Sequence, residues 1–452
     1  MSDKSFKTVT FKGGVHPAKD GKALSREAAI QDAPLLDKYQ VIIPQNIGAP
    51  PKPVVKKGDE VKKGQLLAEA GGFVSVPLHS PTSGTIANIV DIPGPMGVLV
   101  QAIEITADGK DEWGELMAPI DWKNAEGQVL KDRIRDAGIV GMGGAAFPTH
   151  VKLSPPPDKK IDYLILNGAE CEPYLTADHR LMLEETEKVL EGAAILGKSL
   201  GVENVFIGIE VNKKDAIEAL LEKADKYNVG IVGLKVQYPQ GAEKQLIYAV
   251  SGRKVPAGGL PMDAGCVVQN VGTAAAVTDA VKEGKPLIER ITTVTGEPVK
   301  NPSNWRLRLG TPIIKAIEFA GGVTSEPGKV ILGGPMMGFS QKSLDVTVTK
   351  NTSGILLLAL DDVVQYQSTA CIRCGKCLNA CAMNLQPGPL SAMIESEKFD
   401  LAAKANIMDC IECGSCAYVC PAHRPLVQHF RRAKAELRRM LQAQKEQEKK
   451  QK

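Results

Sequence analysis

Cys371-Ile372-Arg373-Cys374-Gly375-Lys376-Cys377-Leu378-Asn379-Ala380-Cys381 and Cys410-Ile411-Glu412-Cys413-Gly414-Ser415-Cys416-Ala417-Tyr418-Val419-Cys420-Pro421 decide the reading of this chain. Each is a C-x2-C-x2-C-x3-C run, the spacing in which three close thiolates take three corners of a four-iron cubane while the fourth reaches the neighbouring cluster. Cys371, Cys374, Cys377 and Cys420 are therefore expected to hold one [4Fe–4S] cluster, and Cys410, Cys413, Cys416 and Cys381 the other. Zinc fits less well, because it takes four ligands per site across longer gaps and gives no reason for eight in this order. The spacer from Leu390 to Ala405 is helix-compatible, so a helical two-cluster module is expected in place of a compact hairpin.

The totals agree with a soluble redox protein of several units. At 452 residues the chain predicts about three or four domains. Hydrophobic residues at 43% and charged residues at 24% suit folded, water-facing domains. The apolar run from Ile355 to Leu360 is too short to span a bilayer, which takes about 20 residues. The start MSDKSFKTVT is polar, and Ser2 stands where myristoylation needs glycine, so a cytoplasmic location is expected. Eight of the ten cysteines fall in the two runs, which points to metal ligation in a reducing compartment and away from disulfides. Cys171 and Cys266, far from the runs, read as small buried residues. The net charge of +3 is a property of the tail, since 425–452 carries nine Lys or Arg against three Asp or Glu. No aromatic interleaving or groove-reading motif accompanies it, and nucleic acid is not an expected partner.

Working toward the N-terminus, Thr292-Thr-Val-Thr-Gly296 and Lys329-Val-Ile-Leu-Gly333 predict a small mixed β unit over 286–350. Before it, apolar strands at Tyr163–Leu166, Val205–Ile209 and Leu234–Tyr238 alternate with helical runs near 180–199, 213–227 and 241–251. That βαβ rhythm predicts a parallel sheet covered on both faces. At Val54–Leu67 and Leu78–Ile86, short strands with turn glycines resemble the barrel-sandwich fold of biotinyl and lipoyl carriers. The intervening turn Glu69-Ala-Gly-Gly-Phe73 lacks the lysine those carriers modify, so docking or structural use is expected. After Pro425, Leu426, Phe430, Ala433, Leu437, Met440 and Leu441 mark one face of a helix.

Two loops carry the remaining chemistry. Gly141-Met142-Gly143-Gly144 follows a helix, where the dinucleotide fingerprint would follow a strand. Its bare amides suit a phosphate, with Lys152 adding charge, or else it is a tight turn. Asn167-Gly-Ala-Glu170-Cys-Glu172-Pro sits just after a strand, where open α/β sheets bind ligands. It could hold the polar edges of a flavin or nicotinamide, or form a solvated loop.

The segments GMGGAAFPTHVK, NGAECEP, YPQGAEKQL and QNVGTAAAV, ahead of two ferredoxin-type runs, closely resemble the C subunit of the Rnf electron transport complex, over nearly the whole chain. The chain is also similar to the flavin-bearing NADH-binding subunit of complex I, without that family's acidic residues at Ala169 and Ala242 or its aromatic stretch at Leu153-Ser-Pro. A corrin reductase resembles it from the glycine loop onward but lacks the long barrel-like start. The resemblance implies FMN held by Gly141, Gly143, Gly144 and Lys152, with Asn167 and Glu170 near its ring and Asn270 and Thr273 near its phosphate. Phe147, Glu172 and Glu243 would face the nicotinamide nucleotide, with Phe147 and Glu172 as the catalytic pair. It implies a multidomain α/β protein: a barrel-sandwich region (1–127), a Rossmann-like parallel domain for FMN and NADH (128–285), a soluble-ligand-binding β-grasp domain (286–350), a helical two-cluster ferredoxin domain (351–424) and a basic helical tail (425–452). It further implies a ferredoxin:NAD oxidoreductase subunit, peripheral on the cytoplasmic face of the membrane. NAD(H) would be its substrate, and other Rnf subunits, including a ferredoxin-type one, its partners. A flavin-free electron wire and an NADH-dependent corrin reductase are the alternatives.

Overall fold

The computed structural model describes residues 8–363 and 366–450. The first seven residues of the polar start and the last two of the basic tail lie outside them.

Its centre is an all-parallel sheet in the order Thr8–Val9, Gly230–Leu234, Asn204–Glu210, Tyr163–Gly168, Cys266–Asn270. Successive side chains of a strand face opposite ways, and both faces here are apolar. Leu164 and Leu166 pack with Leu190, Ala193 and Val277 on one side, while Ile165 packs with Leu246 and Val268 on the other. Helices Thr186–Leu200 and Val271–Lys282 cover the first face so closely that a Cβ on Gly192 would lie 1.9 Å from the Ala274 carbonyl oxygen. The expected strand Leu234–Tyr238 is displaced. Pairing with Asn204–Glu210 begins at Gly230 and ends at Leu234, where that neighbour also ends, and the chain then turns through Tyr238–Pro239.

Strands Lys38–Ile42, Leu99–Ala107, Gly84–Pro93 and Glu60–Val61 form one layer of the N-terminal unit, and Lys52–Pro53, Leu66–Glu69 and Leu78–His79 the other. Val41, Leu67, Leu78, Ile86 and Ile103 fill the space between. This unit is not self-contained over 1–127, because Thr8–Val9 joins the edge of the parallel sheet and Ile30–Asp32 pairs with Ser303–Arg308.

A second, mixed sheet has six strands, in the order Phe339–Ser340, Pro327–Leu332, Gly354–Ala359, Glu289–Thr295, Ser303–Arg308, Ile30–Asp32, with helix Ile313–Phe319 against it. It therefore runs past residue 350. The apolar Gly354–Ala359 is a buried central strand between Pro327–Leu332 and Glu289–Thr295, and does not belong to the cluster module. The spacer after the first cysteine run is two helices, Pro387–Glu395 and Phe399–Lys404, broken where Glu397 takes φ 56°. Helix Leu426–Lys450 is not a separate tail at its start. Leu426, Phe430, Ala433 and Leu437 are buried in the same core as Leu390 and Ile394, whereas Met440 and Leu441 are exposed.

Candidate functional site

Strand Tyr163–Gly168 has Asn204–Glu210 on one side and Cys266–Asn270 on the other, so connections leave it in opposite directions and open a crevice at the carboxyl ends. Ligands of open α/β sheets bind at such a switch point. Asn167 and Asn270 are register partners at its floor.

The glycine loop lies over this point. The Gly141 amide donates to the Phe147 carbonyl at 2.9 Å, closing the turn. The Met142 amide donates to the Thr273 hydroxyl at 3.0 Å, which donates in turn to the Val140 carbonyl at 3.1 Å. Asn270 caps helix Val271–Lys282 by accepting from the Gly272 amide at 2.8 Å, and its Nδ2 donates to Asp178 at 2.7 Å. A Cβ on Gly143 would stand 2.7 Å from Asn270 Nδ2, whereas Gly144 has open space on that side. The result is a bare backbone ledge beside a helix N-terminus, an arrangement that favours an anion.

Around the ledge, Glu170 takes φ 46° and its carboxylate accepts from the amides of Asp178 and His179, capping helix Ala177–Glu184. Burial, with Glu170 nearby, pushes the Asp178 carboxyl up from its usual range. Asn167 Nδ2 donates to the Gly241 carbonyl at 2.8 Å. Lys152 Nζ donates to Glu243 at 2.9 Å and to the Val268 carbonyl at 3.2 Å, linking the loop's helix to both following elements. Gly141, Gly143, Gly144, Lys152, Asn167, Glu170, Glu243, Asn270 and Thr273 thus form one connected shell.

Phe147 is half-buried beside the loop. The two oxygens of Glu172 accept from the amides of Met336 and Met337 at 3.1 and 2.9 Å, in a turn of the six-stranded-sheet unit. Burial pushes its carboxyl up to about 7. Packed against Gly334, this carboxylate links the two units.

Four cations were not anticipated from sequence. Lys22, Lys213, Arg290 and Lys350 are all under 9% exposed. Lys22 donates to the carbonyls of Glu170, Glu172 and Leu175, and Lys213 to that of Ala169. Single basic residues give no periodic signal.

The cysteine runs fold alike. Left-handed backbone at Arg373, Gly375 and Asn384 in the first recurs in the same order at Glu412, Gly414 and His423 in the second. In each run an amide points back at the leading sulfur, Arg373 to Cys371 and Glu412 to Cys410, both at 3.4 Å. The Leu385 amide does the same for Cys381 at 3.3 Å. Burial, with other thiols crowded close, raises the Cys377, Cys381, Cys410 and Cys416 thiols. Cys410 is pushed up to about 11 with Cys413 and Cys381 as neighbours, and Cys416 goes up beside Cys413, Cys410 and Cys381. Cys377 is raised by burial with Cys420 and Cys371 nearby.

Cys381, Cys410, Cys413 and Cys416 line one cavity walled by Leu385, Pro387, Val427 and Phe430. Four sulfurs in an apolar cavity with amides aimed at them suit a four-iron cluster, whose iron removes the cost of crowding thiolates. This group sits against the parallel-sheet domain, where Tyr238 donates to the Cys413 carbonyl at 2.7 Å and Gln245 to the Ala382 carbonyl at 3.0 Å. Cys371 and Cys374 are exposed. For the flavin, the fit rests on the Gly143 cradle and on Gln269, which is buried beside Asn270 with both amide atoms lacking a partner among the described residues.

Four stretches of the chain match known domain families. Residues 9–110 match the RnfC barrel sandwich hybrid domain, 134–279 the Nuo51 FMN-binding domain, 291–340 the SLBB domain and 370–423 the 4Fe-4S dicluster domain. The C subunit of the proton-translocating ferredoxin:NAD(+) oxidoreductase complex of Clostridium ljungdahlii is 51% identical, over 95% of this chain and 94% of that one. The Na(+)-translocating counterpart of Acetobacterium woodii is 47% identical, over 96% and 98%, and the C subunit of the ion-translocating oxidoreductase complex of Rhodobacter capsulatus 42%, over 96% and 84%. An NAD+-reducing [NiFe]-hydrogenase in its H2-reduced state shares the fold over 70% of this chain and 65% of that one, with TM-score 0.50 and 16% identity. The chain belongs to the RnfC family, the C subunits of ion-translocating ferredoxin:NAD(+) oxidoreductase complexes.

Proposed function

We propose that this chain is the NAD(H)-reactive peripheral subunit of an Rnf-type ferredoxin:NAD oxidoreductase, passing electrons between NAD(H), FMN and two [4Fe–4S] clusters. The observation that carries this is the junction of the two sites: the cavity of Cys381, Cys410, Cys413 and Cys416 abuts, through Tyr238, the domain that holds the glycine ledge. When bound, FMN supplies the conversion between hydride and single electrons, and the clusters carry single electrons.

The chain's own part is holding and orienting. Gly141, Gly143 and Gly144 would receive the flavin, with Asn270 and Thr273 fixing the ledge near its phosphate and Asn167 and Glu170 beside its ring. Lys152, held by Glu243, would contribute positive charge there. Phe147 and Glu243 would border the nucleotide, and Glu172 would keep the β-grasp unit in place behind them. Cys371, Cys374, Cys377 and Cys420 would hold the second cluster near the surface.

The partners would be the membrane-embedded Rnf subunits and the ferredoxin-type subunit, with this chain peripheral on the cytoplasmic face. Among the described residues no helix is long and apolar enough to cross a membrane. The test is anaerobic: reconstitute the full chain with iron, sulfide and FMN, add NADH, and follow the flavin and cluster absorbance. Bleaching of both supports the proposal. A chain that takes up iron but no flavin would instead be an electron wire, and rapid NADH-driven cobalamin reduction would favour a corrin reductase.

A further inference from the structure

Arg290 and Lys350 are buried cations with no carboxylate partner among the described residues; Arg290 reaches the glycine loop at Met142, and Lys350 reaches Gly138 just ahead of it. Arg290, in strand Glu289–Thr295, is 4% exposed, and Lys350, just before strand Gly354–Ala359, is fully buried. Among the described residues each is met by carbonyl oxygens alone. Arg290 Nη1 donates to the carbonyls of Met142 at 3.1 Å and Lys350 at 3.0 Å, and its Nε to that of Ile291 at 3.1 Å. Lys350 Nζ donates to the carbonyls of Pro77 at 3.0 Å and Gly138 at 2.6 Å, and its amide donates to Gln45 Oε1 at 2.9 Å. Asn351 Nδ2 reaches the Gly144 carbonyl at 3.3 Å.

Peptide planarity turns these contacts into a statement about the ligand side. In a trans peptide the N–H points opposite to the C=O. With the Met142 carbonyl held on Arg290, the Gly143 N–H of the same peptide points away from the guanidinium. With the Gly144 carbonyl held on Asn351, the Ala145 N–H points away from that amide. Gly143, Gly144 and Ala145 are exposed, so these donors face outward. A buried charge without a counterion is costly. The nearest acid acting on Arg290 is Asp178, itself already bound by Asn270, and His79 faces Lys350 without a charge to offer.

We infer that Arg290 and Lys350, contributed by the β-grasp unit, are positioning residues for the flavin phosphate: Arg290 pins the Met142 carbonyl of the glycine loop and so aims the next amide outward, Lys350 pins the Gly138 carbonyl ahead of the loop, and both have the bound dianion as their counter-charge. This rests on the flavin reading above. It also gives the β-grasp unit a role in the site without any side chain of its own touching the ligand. The positive potential passes through oriented peptides, as at other anion-binding loops.

The test compares FMN with riboflavin, which lacks the phosphate, by fluorescence titration of the full chain with its clusters in place. Arg290→Met is expected to lower the FMN-over-riboflavin preference at least about tenfold, the scale of a charge-assisted hydrogen bond, with riboflavin affinity held within about twofold. Lys350→Arg should keep the preference near that of the unaltered chain. Should Arg290→Met not fold, Asn351→Ala decides, because its side chain is exposed; the preference is expected to fall about threefold. Equal losses for both flavins, or an unchanged preference in a folded Arg290→Met or Asn351→Ala chain, would overturn the inference. If the unaltered chain binds neither flavin, the flavin reading fails and takes this inference with it.

Discussion

The phenol of Tyr238 donates its proton to the peptide carbonyl of Cys413 at 2.7 Å, so the parallel-sheet domain grips a cluster-binding loop directly. Tyr238 is 1% exposed and packs in a small interface core with Val15 and Ala380, with Cys171, Met336 and Cys413 against it. With the Gln245 bond to the Ala382 carbonyl, this contact sets the position of one group of four cysteines relative to the crevice at Asn167 and Asn270.

Tyr238→Phe keeps the ring and removes one buried hydrogen bond, leaving the Cys413 carbonyl without that donor. A cost of about 1–2 kcal/mol is expected, seen as a lower midpoint in chemical unfolding of the cluster-loaded chain. Electron transfer from reduced flavin to the clusters should slow, while flavin affinity stays the same. A variant as stable and as fast as the original would show that the hydroxyl does not fix the junction.

Cys381 belongs by sequence to the first run but lines the cavity of the second, with Cys410, Cys413 and Cys416. Cys381→Ala should therefore disturb the same cluster as Cys416→Ala. Both variants should lose about half of the iron and acid-labile sulfide and leave the same residual paramagnetic signal on reduction. Cys420→Ala should leave the complementary signal. If Cys381→Ala instead matched Cys377→Ala, the crossed assignment would be wrong.

How much of this was legible beforehand depends on whether the signal was local. The cysteine runs are local, and their spacing already groups 381 with 410, 413 and 416, the four that line one cavity. The βαβ rhythm is local too, because apolar strands buried on both faces read as continuous runs. What sequence could not show was pairing across long separations. Thr8–Val9 and Ile30–Asp32 complete sheets more than 200 residues away, and nothing in such short segments names their partners. The same holds for Arg290, Lys350 and Glu172, whose roles come from carbonyls and amides in other units. Gly354–Ala359 was legible as apolar but not as a central strand of the six-stranded sheet, since periodicity gives burial and not membership.

Gly143→Ala tests the ledge. The added Cβ would meet Asn270 Nδ2 at 2.7 Å and the Asn270 Cβ at 3.0 Å, and Asn270 is already fixed by the Gly272 amide and by Asp178. The loop must lift, so FMN affinity should drop by about tenfold or more, with overpacking costing about 1–3 kcal/mol. Gly144→Ala, with open space on that side, should leave global stability within about 0.5 kcal/mol. Flavin titration and thermal unfolding of the two variants side by side check the contrast. Equal behaviour would mean that Gly143 is not held against Asn270.

Acid should loosen, through His79, the packing where Lys350 meets the Pro77 and Gly138 carbonyls. Its ring is 7% exposed, its Nδ1 lacks a hydrogen-bond partner among the described residues, and Lys350 lies close by. Burial, then the Lys350 charge, holds its pKa down at about 3 against an ordinary 6.5. The unfolded chain thus binds a proton between those values that the folded chain refuses. The stability contributed by keeping this imidazole neutral is complete above pH 6.5 and drains away as pH falls toward 3. At pH 4 the loss from this group alone should be of order 3 kcal/mol. His79→Leu removes the titration, so the difference in unfolding free energy between the original chain and the variant should shrink steadily from pH 7 to pH 4. A difference independent of pH over that range would mean that the ring is hydrated and titrates freely in the fold.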